Sequence, residues 1–267
     1  MNTRQVVIED QTDFHSIRTT ATTPRRLAKR LLCKIFPAHL LDQVKFELHM
    51  ISVRLRTRNN RRKYVGKTDL LVNIGAGNSG KEGWVNVDGF PGDGVTCLAD
   101  VRRRLPFEDN SVRGIFSEHF LEHIDYIEEA PHFLRECLRS LQPGGVLRII
   151  VPDLEKYFRA YARDDWNLLA KIRPLDEHRK DRRYGWKYNT QMELINFVLR
   201  LGQQHKFGYD FATMEFLMRK CGFTEIAKQE FGKSKMPELC IDNETRAPES
   251  LYVEAVKPPL PSRNALS

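Results

Sequence analysis

Two glycines and two aspartates stand where apolar runs end in the middle of the chain. Gly75 and Gly77 follow the run LLVNI, Asp88 closes WVNVD and Asp100 closes GVTCLAD. Glycine lets a backbone approach a ligand closely because it has no Cβ. A carboxylate at the end of a strand can accept hydrogen bonds from ribose hydroxyls. The set predicts a nucleoside-binding crevice, with Asp88 at the ribose and Asp100 at the adenine amino group.

The apolar runs alternate with helical segments, which predicts a parallel α/β sheet. Strands are predicted at 70–74, 84–88, 94–100, 112–117 and 146–152, and in TEIAKQEF and SLYVEAVK near the end. Between them, 127–141 reads as an amphipathic helix with Ile127 and Phe133 on its inner side. We expect a Rossmann-like, mostly parallel seven-stranded sheet with flanking helices and a basic N-terminal helical extension. The carboxyl ends of its strands would form the crevice.

Four motifs carry a resemblance to a known family. VNIGAGN, WVNVD, LADVRRRLPFEDNSVRGIFSEHFLEHI and LRSLQPGGVLRIIVPD resemble the successive motifs of class I S-adenosylmethionine-dependent methyltransferases, over about residues 69–153. GWVNVD and SLYVEAVK are similar to a bacterial subgroup of predicted methyltransferases linked to cell-surface glycan pathways. The resemblance implies S-adenosyl-L-methionine as cofactor. It also implies methyl transfer to a small-molecule or glycan acceptor, which we expect at an oxygen atom.

The resemblance implies roles by position. Gly75 and Gly77 would hold the methionine part of the cofactor. The full cofactor-binding set is Asn73, Gly75, Ala76, Gly77, Asp88, Asp100, Val101 and Ser117, and the catalytic candidates are His119, Glu118 and His205. Methyl transfer mainly needs alignment of the acceptor, and a general base is needed where the acceptor is a poorly acidic hydroxyl. His119 is the first choice because it directly follows the fourth strand, whereas His205 lies in the segment expected to cover the site.

Two departures from the family pattern concern the first strand and its loop. Asn73 stands where the family usually has an acid. Gly75 and Asp88 are 13 positions apart, whereas related folds allow about 20. The first crossover helix is therefore expected to be very short or absent.

Two alternative functions rest on other patterns. His119-Phe-Leu-Glu122-His123 matches the HxxEH pattern of inverted zinc proteases, but the match is short and lies inside the methyltransferase motifs, so we assign no metal ligands. RNA or other nucleic-acid methylation is favoured by basic character near the N terminus. It is disfavoured because SEHF stands where many base-amine methyltransferases carry (D/N)PP(Y/F).

The basic character belongs to one segment. Between Pro24 and Lys67 there are 13 Lys and Arg against Asp42 and Glu47, although the whole chain carries only +8. Such a segment favours an anionic partner, either nucleic acid or an anionic membrane surface. Its apolar stripe is interpreted as packing on the domain core, with a dimer contact as the alternative. The stripe consists of Leu41, Val44, Leu48, Ile51 and Leu55.

These patterns predict the organisation of the chain. We expect a flexible arm (1–23), a basic helical extension (24–66), a methyltransferase domain (67–258) with a substrate-covering insertion (153–209), and a tail (259–267). The five scattered cysteines form no CxxC pair and the start of the chain has no signal-type apolar core. We therefore expect a cytoplasmic protein, or one peripheral at the inner membrane surface.

Overall fold

A computed structural model describes residues 35–259. The predicted arm, most of the helix predicted after Pro24, and the tail from 260 onward lie outside the described residues. The chain divides into two compact units at Met50, which lies inside the first described helix, α1 (Ala38–Tyr64). In the part of the chain that is described, no helix is long and apolar enough to cross a membrane.

The second unit is built on one seven-stranded sheet in the order β3-β2-β1-β4-β5-β7-β6. Strands β1 to β5 pair in parallel, and β7 pairs antiparallel with both β5 and β6. The predicted Rossmann-like, mostly parallel sheet is therefore confirmed. The strands are β1 (Leu70–Ile74), β2 (Val85–Asp88), β3 (Cys97–Leu98), β4 (Val112–Glu118), β5 (Leu141–Pro152), β6 (Thr224–Gln229) and β7 (Ser250–Val256).

Two helices cover one face of the sheet. α2 (Glu129–Ser140) and α6 (Phe211–Lys220) bury residues such as Phe133 and Met214 in the main apolar core. The prediction that Ile127 lies on the inner side of α2 is wrong, because Ile127 precedes the helix and is 75% exposed. The carboxylate of Asp125 accepts hydrogen bonds from the amides of Ile127 and Glu128, so this stretch forms a turn before α2 begins.

The long connection between β6 and β7 lies on the other face. Its residues Met236 and Leu239 pack over Gly114 of β4, in a smaller core that includes Phe116 and Ile150. A buried arginine on β5 holds this connection against the sheet through ion pairs and hydrogen bonds. The fully buried guanidinium of Arg148 on β5 pairs with the carboxylates of Asp242 and Glu254 and donates to the carbonyl oxygens of Lys233 and Glu230.

Most of the predicted apolar stripe of α1 is exposed. Val44, Leu48, Ile51 and Leu55 are 48–67% exposed, whereas Met50 and Val53 are buried. Polar contacts made by the second half of the helix account for its orientation. Arg54 donates to Asp100, and the Nδ2 of Asn60 donates to the carbonyl of Leu98 at 2.8 Å. The helical period predicts a stripe, but it does not determine which side of the helix meets the sheet.

Residues 154–208 leave the sheet after β5 and return beside it. The backbone of Asp153 bridges to Tyr209, so the two ends of this insertion meet at the carboxyl end of β5. Its helices are α3 (Leu154–Ala162), α4 (Trp166–Ile172) and α5 (Gln191–Arg200). They share a separate apolar core that includes Tyr157, Leu169 and Tyr188. The insertion is therefore a packed subdomain at the edge where the candidate site lies.

Candidate functional site

The connection from β1 to β2 contains only turns between Ile74 and Val85. The expectation of a very short or absent crossover helix is confirmed. Two buried asparagines, Asn73 and Asn86, hold this connection in place of a helix. The Nδ2 of Asn73 donates to the carbonyl of Ser79, and Asn86 accepts from the amide of Lys81 and donates to its carbonyl. The two side chains also contact each other, at 3.4 Å.

This network explains why an amide stands at position 73. The amide group of Asn73 can donate hydrogen bonds to two oxygen atoms, whereas an ionised acid could only accept them. The amide at position 73 therefore holds the short connection between β1 and β2 in place. The predicted contact of Asn73 with the methionine part of the cofactor stays a prediction, and its Nδ2 is already used to hold the loop.

The two glycines of the loop differ in their surroundings. Both have a positive φ, +74° at Gly75 and +49° at Gly77. A Cβ at Gly75 would lie 2.8 Å from the Cβ of Phe120, whereas a Cβ at Gly77 would have no atom within 4 Å. Gly75 is therefore required by the packing of Phe120 in the segment after β4. Gly77 borders open space, and Ala76 between them is buried.

Asp88 lies at the carboxyl end of β2 and is half-buried. Its Oδ2 accepts a hydrogen bond from the amide of Gly77 at 2.9 Å, and its Oδ1 accepts one from the amide of Phe90 at 2.8 Å. These bonds fix the carboxylate beside the open space at Gly77. A carboxylate offers about four acceptor positions, so both oxygens can still accept from a ligand.

Asp100 is buried and already paired. Its oxygens accept hydrogen bonds from Arg102 at 2.9 and 3.0 Å and from Arg54 at 2.8 Å. Burial alone would raise the pKa of Asp100, but the two guanidinium groups outweigh this effect and lower it. The predicted contact with the adenine amino group stays a prediction, and it would have to share this carboxylate with both arginines. Val101, the other residue expected to frame adenine, is also buried.

The end of β4 presents three polar side chains. The buried hydroxyl of Ser117 has no hydrogen-bond partner among the described residues. The Oε1 of Glu118 accepts a hydrogen bond from the amide of Asn243 at 3.1 Å, and burial raises the pKa of Glu118. His119 adopts a left-handed backbone conformation (φ +50°), and its Nε2 lies 3.0 Å from the Oγ of Ser250. Ser250 donates its own proton to the carbonyl of Arg246, so Nε2 of His119 carries the proton of that bond.

His205 joins the same region from the insertion. Its ring meets the ring of His123 edge to face, with 4.7 Å between centroids. Its Nδ1 donates to the carbonyl of Val198 at 2.7 Å, and burial lowers the pKa of His205 to about 4. The predicted candidates Glu118, His119 and His205 therefore gather at the carboxyl end of β4. Their catalytic roles stay predictions.

The HxxEH pattern does not form the helix face that the zinc-protease alternative requires. Residues 121–123 form a single 3₁₀ turn, and the left-handed His119 stands outside it. The ring of His119 is directed at Ser250, as described above.

Sequence reasoning missed the residues that support the site from elsewhere in the chain. Arg54, Arg102, Phe120, Asn243 and Ser250 all contact a predicted site residue. Arg102, Phe120 and Ser250 lie within the quoted motifs, but the resemblance assigned them no role, whereas Arg54 and Asn243 lie outside those motifs. Two surface cavities were also not predicted. One of about 270 Å³ adjoins Ser250 and is lined by Lys156 and Lys228, and one of about 470 Å³ adjoins Arg113 on the second face.

One comparison with known protein families gives a match. Residues 85–149 match the family described as a methyltransferase domain, a range that runs from β2 into β5 and includes Asp88, Asp100 and the segment after β4. No curated protein matches the sequence. Residues 85–149 are therefore similar to a methyltransferase domain, and they lie within the Rossmann-like sheet described above.

Several solved structures are similar at low sequence identity. An S-adenosylmethionine-dependent methyltransferase from Archaeoglobus fulgidus is 17% identical, with 82% of this chain and 100% of that chain covered and a TM-score of 0.43. One from Mesorhizobium loti is 17% identical, with 71% and 91% covered and a TM-score of 0.40. Phosphoethanolamine N-methyltransferase 2 from Haemonchus contortus is 15% identical, with 75% and 52% covered and a TM-score of 0.40. The chain spans about half the length of this last protein.

Proposed function

We propose that the protein transfers a methyl group from S-adenosylmethionine to an oxygen atom of a small-molecule or glycan acceptor. The observation that carries the proposal is the match of residues 85–149 to a methyltransferase domain. The hydrogen bond between Gly77 and Asp88 at the carboxyl edge of the sheet supports a ligand site there. The class of acceptor rests on the sequence resemblance alone.

The residues at this edge fit the proposed cofactor. The open space at Gly77 admits a ligand close to the backbone, and Asp88 keeps acceptor positions for ribose hydroxyls. Ser117, which pairs with Ile74 at the end of β1, has a buried hydroxyl without a hydrogen-bond partner among the described residues. When bound, S-adenosylmethionine supplies a methyl group that the sulfonium already activates. The chain's own task is to hold the acceptor in line and to exclude water.

Glu118 is the candidate best placed to accept the proton of an acceptor hydroxyl. Only its Oε1 is held, by the amide of Asn243, and its second oxygen makes no hydrogen bond within the described residues. Its raised pKa brings it closer to the range in which a carboxylate serves as a general base near neutral pH. His119 is less free, because Ser250 and Glu122 contact its two ring nitrogens.

Binding of the cofactor is the first test. We expect isothermal titration calorimetry to give micromolar binding of S-adenosylmethionine to the full chain. Asp88→Ala should abolish the binding, because the carboxylate loses its ribose contacts. Asp93→Ala removes the same charge from an exposed position in the neighbouring loop and should bind as the parent does. Absence of binding to the parent, or equal binding to Asp88→Ala, would refute the proposed site.

Transfer of a labelled methyl group tests the acceptor. Incubation with methyl-labelled S-adenosylmethionine should label a glycan or small-molecule fraction in an alkali-stable ether linkage. Label in RNA instead would support the alternative, a nucleic-acid methyltransferase. Label on nitrogen would retain methyl transfer and reject the oxygen acceptor.

We also propose that α1 contacts an anionic membrane surface. The exposed stripe of Val44, Leu48, Ile51 and Leu55 is apolar, and Arg61, Arg62 and Lys63 follow it in the last turn. Apolar side chains next to basic ones are typical of helices that lie on anionic lipid. Nucleic acid and a second copy of the chain are the competing partners.

A further inference from the structure

Glu122 is a buried carboxylate that lacks a hydrogen-bond partner. It is 1% exposed, and neither of its oxygens makes a hydrogen bond within the described residues. The Nδ1 of His119 lies 3.3 Å from its Oε1, which is an ion-pair distance without hydrogen-bond geometry. An ionised carboxylate in such a place is costly unless a cation or hydrogen bonds compensate it. A bound cation would supply such compensation.

Two imidazoles stand beside this carboxylate. One nitrogen of His123, one nitrogen of His205 and one oxygen of Glu122 all lie within 4.8 Å of one another. His123 and Glu122 belong to the 3₁₀ turn after β4, whereas His205 comes from the far end of the insertion. The backbone fixes this approach, because the carbonyl of Glu122 accepts hydrogen bonds from the amides of Lys206 and Phe207.

Both histidines are oriented as metal ligands usually are. The Nδ1 of His205 donates to the carbonyl of Val198 at 2.7 Å, and the Nδ1 of His123 donates to the carbonyl of Gln204 at 3.3 Å. A histidine that binds a metal generally donates its other ring N–H to such a carbonyl, which fixes the tautomer. These bonds leave Nε2 of each ring with the free lone pair.

We propose that Glu122, His123 and His205 bind one divalent transition-metal ion. Two imidazoles and one carboxylate form a ligand set that zinc accepts, with a fourth position left for water or another ligand. The ion would compensate the charge of Glu122 and would join the end of the insertion to the turn after β4. This ligand set differs from the HxxEH alternative, since His205 takes the place of His119. The inference concerns metal binding and does not depend on methyl transfer.

Titration with zinc tests the proposal. The full-length protein, stripped with a chelator, should bind one Zn²⁺ per chain by calorimetry. His123→Ala and His205→Ala should each weaken binding by more than about 100-fold, because loss of a ligand should exceed the 10–100-fold effect of losing an outer-shell partner. His178→Ala is the matched control, since His178 is an exposed histidine outside the cluster, and it should bind as the parent does.

Cobalt provides a second readout that does not depend on the variants. Co²⁺ added to the stripped parent should develop the intense visible absorption of low-coordinate cobalt, and Zn²⁺ should displace it. A spectrum identical to aqueous Co²⁺ would overturn the proposal, as would equal zinc affinity in the double variant His123→Ala/His205→Ala. A protein that binds zinc and not S-adenosylmethionine would retain this site and refute the proposed function.

Discussion

Asp100, one of the predicted site residues, is held in place by ion pairs with two arginines. The buried carboxylate of Asp100 is paired with Arg102, which is itself buried, and with the partly exposed Arg54 of α1. Burial of a carboxylate costs several kcal/mol unless charged hydrogen bonds replace its water. The lowered pKa of Asp100 indicates that the two guanidinium groups more than compensate that cost. The ion pair between Arg54 and Asp100 therefore links α1 to the segment that follows β3.

The substitution Arg102→Ala should destabilise the fold by about 3–5 kcal/mol, because it leaves a buried carboxylate short of its main partner. Urea unfolding at pH 7 measures this loss. The neighbouring Arg103 is exposed, and Arg103→Ala should change stability by no more than about 0.5 kcal/mol.

The loss should also depend on pH. A carboxyl whose pKa is lowered in the folded state stabilises the fold above its unfolded pKa, about 3.9. That contribution disappears as the pH falls through the folded pKa. The gap between parent and Arg102→Ala should therefore narrow below about pH 4. A gap that stayed constant with pH would mean that lost packing, and not charge, causes the effect.

Gly77 offers a test of ligand contact that avoids a packing change. Its φ is +49° and a Cβ there would touch nothing, so Gly77→Ala should cost only the left-handed backbone penalty, about 1–2 kcal/mol. Gly144→Ala is matched, since Gly144 has a φ of +78° and equally open surroundings. We expect similar unfolding midpoints for the two variants. Calorimetry should show weaker binding of S-adenosylmethionine, by about tenfold or more, for Gly77→Ala only.

At the scale of elements, irregular segments support the second face of the sheet. Asn73 and Asn86 hold the short connection after β1, and Arg148 holds the long connection before β7. The helices α2 and α6 cover the first face. Hydrogen-bonded loops thus stand where a crossover helix is absent between β1 and β2.

Helix α1 carries the exposed apolar stripe for which we propose a membrane partner. If its stripe lies on lipid, Leu48→Ser/Leu55→Ser should reduce sedimentation with anionic liposomes at low salt, because the variant buries less apolar surface in the membrane. Phe216→Ser changes a similarly exposed apolar residue on α6 and should sediment as the parent does. Failure of the parent to sediment would reject the membrane. Salt-sensitive RNA binding or a stable dimer would then identify the partner.

At the scale of the whole molecule, one buried carboxylate joins the insertion to the sheet. Glu249, next to the start of β7, forms ion pairs with Arg173 and Arg183 and accepts a hydrogen bond from the hydroxyl of Tyr157. Arg173 also pairs with Asp181 inside the insertion. The insertion therefore docks through charged groups, in addition to the contacts of Lys206 and Phe207 with the turn after β4.

The substitution Glu249→Gln should loosen that docking, because a neutral amide cannot compensate two guanidinium groups. We expect faster tryptic cleavage at the exposed basic residues of the insertion, such as Arg179 and Lys180, while the sheet remains protected. Glu244→Gln, at an exposed position nearby, should be cleaved at the parent rate. Equal rates for both variants would show that the charge of Glu249 is not needed to hold the insertion.

The sequence by itself determined the sheet and the edge of it at which the candidate residues lie. Apolar runs that end in Gly75, Asp88 or Glu118 specify parallel strands whose carboxyl ends meet, because strand direction and alternation are local properties. The 13-position spacing also predicted the missing crossover helix, because chain length limits what a connection can contain. These features could be predicted without knowledge of any distant contact.

Only the tertiary structure decided which partner each side chain has. Arg54 meets Asp100 across 46 positions, and His205 meets Glu122 across 83. Likewise, the buried side of α1 was settled by Arg54 and Asn60 and not by its apolar stripe. A sequence pattern reports the chemistry of a side chain and its local direction. Pairing across the chain depends on how all elements pack together, and no local pattern encodes it.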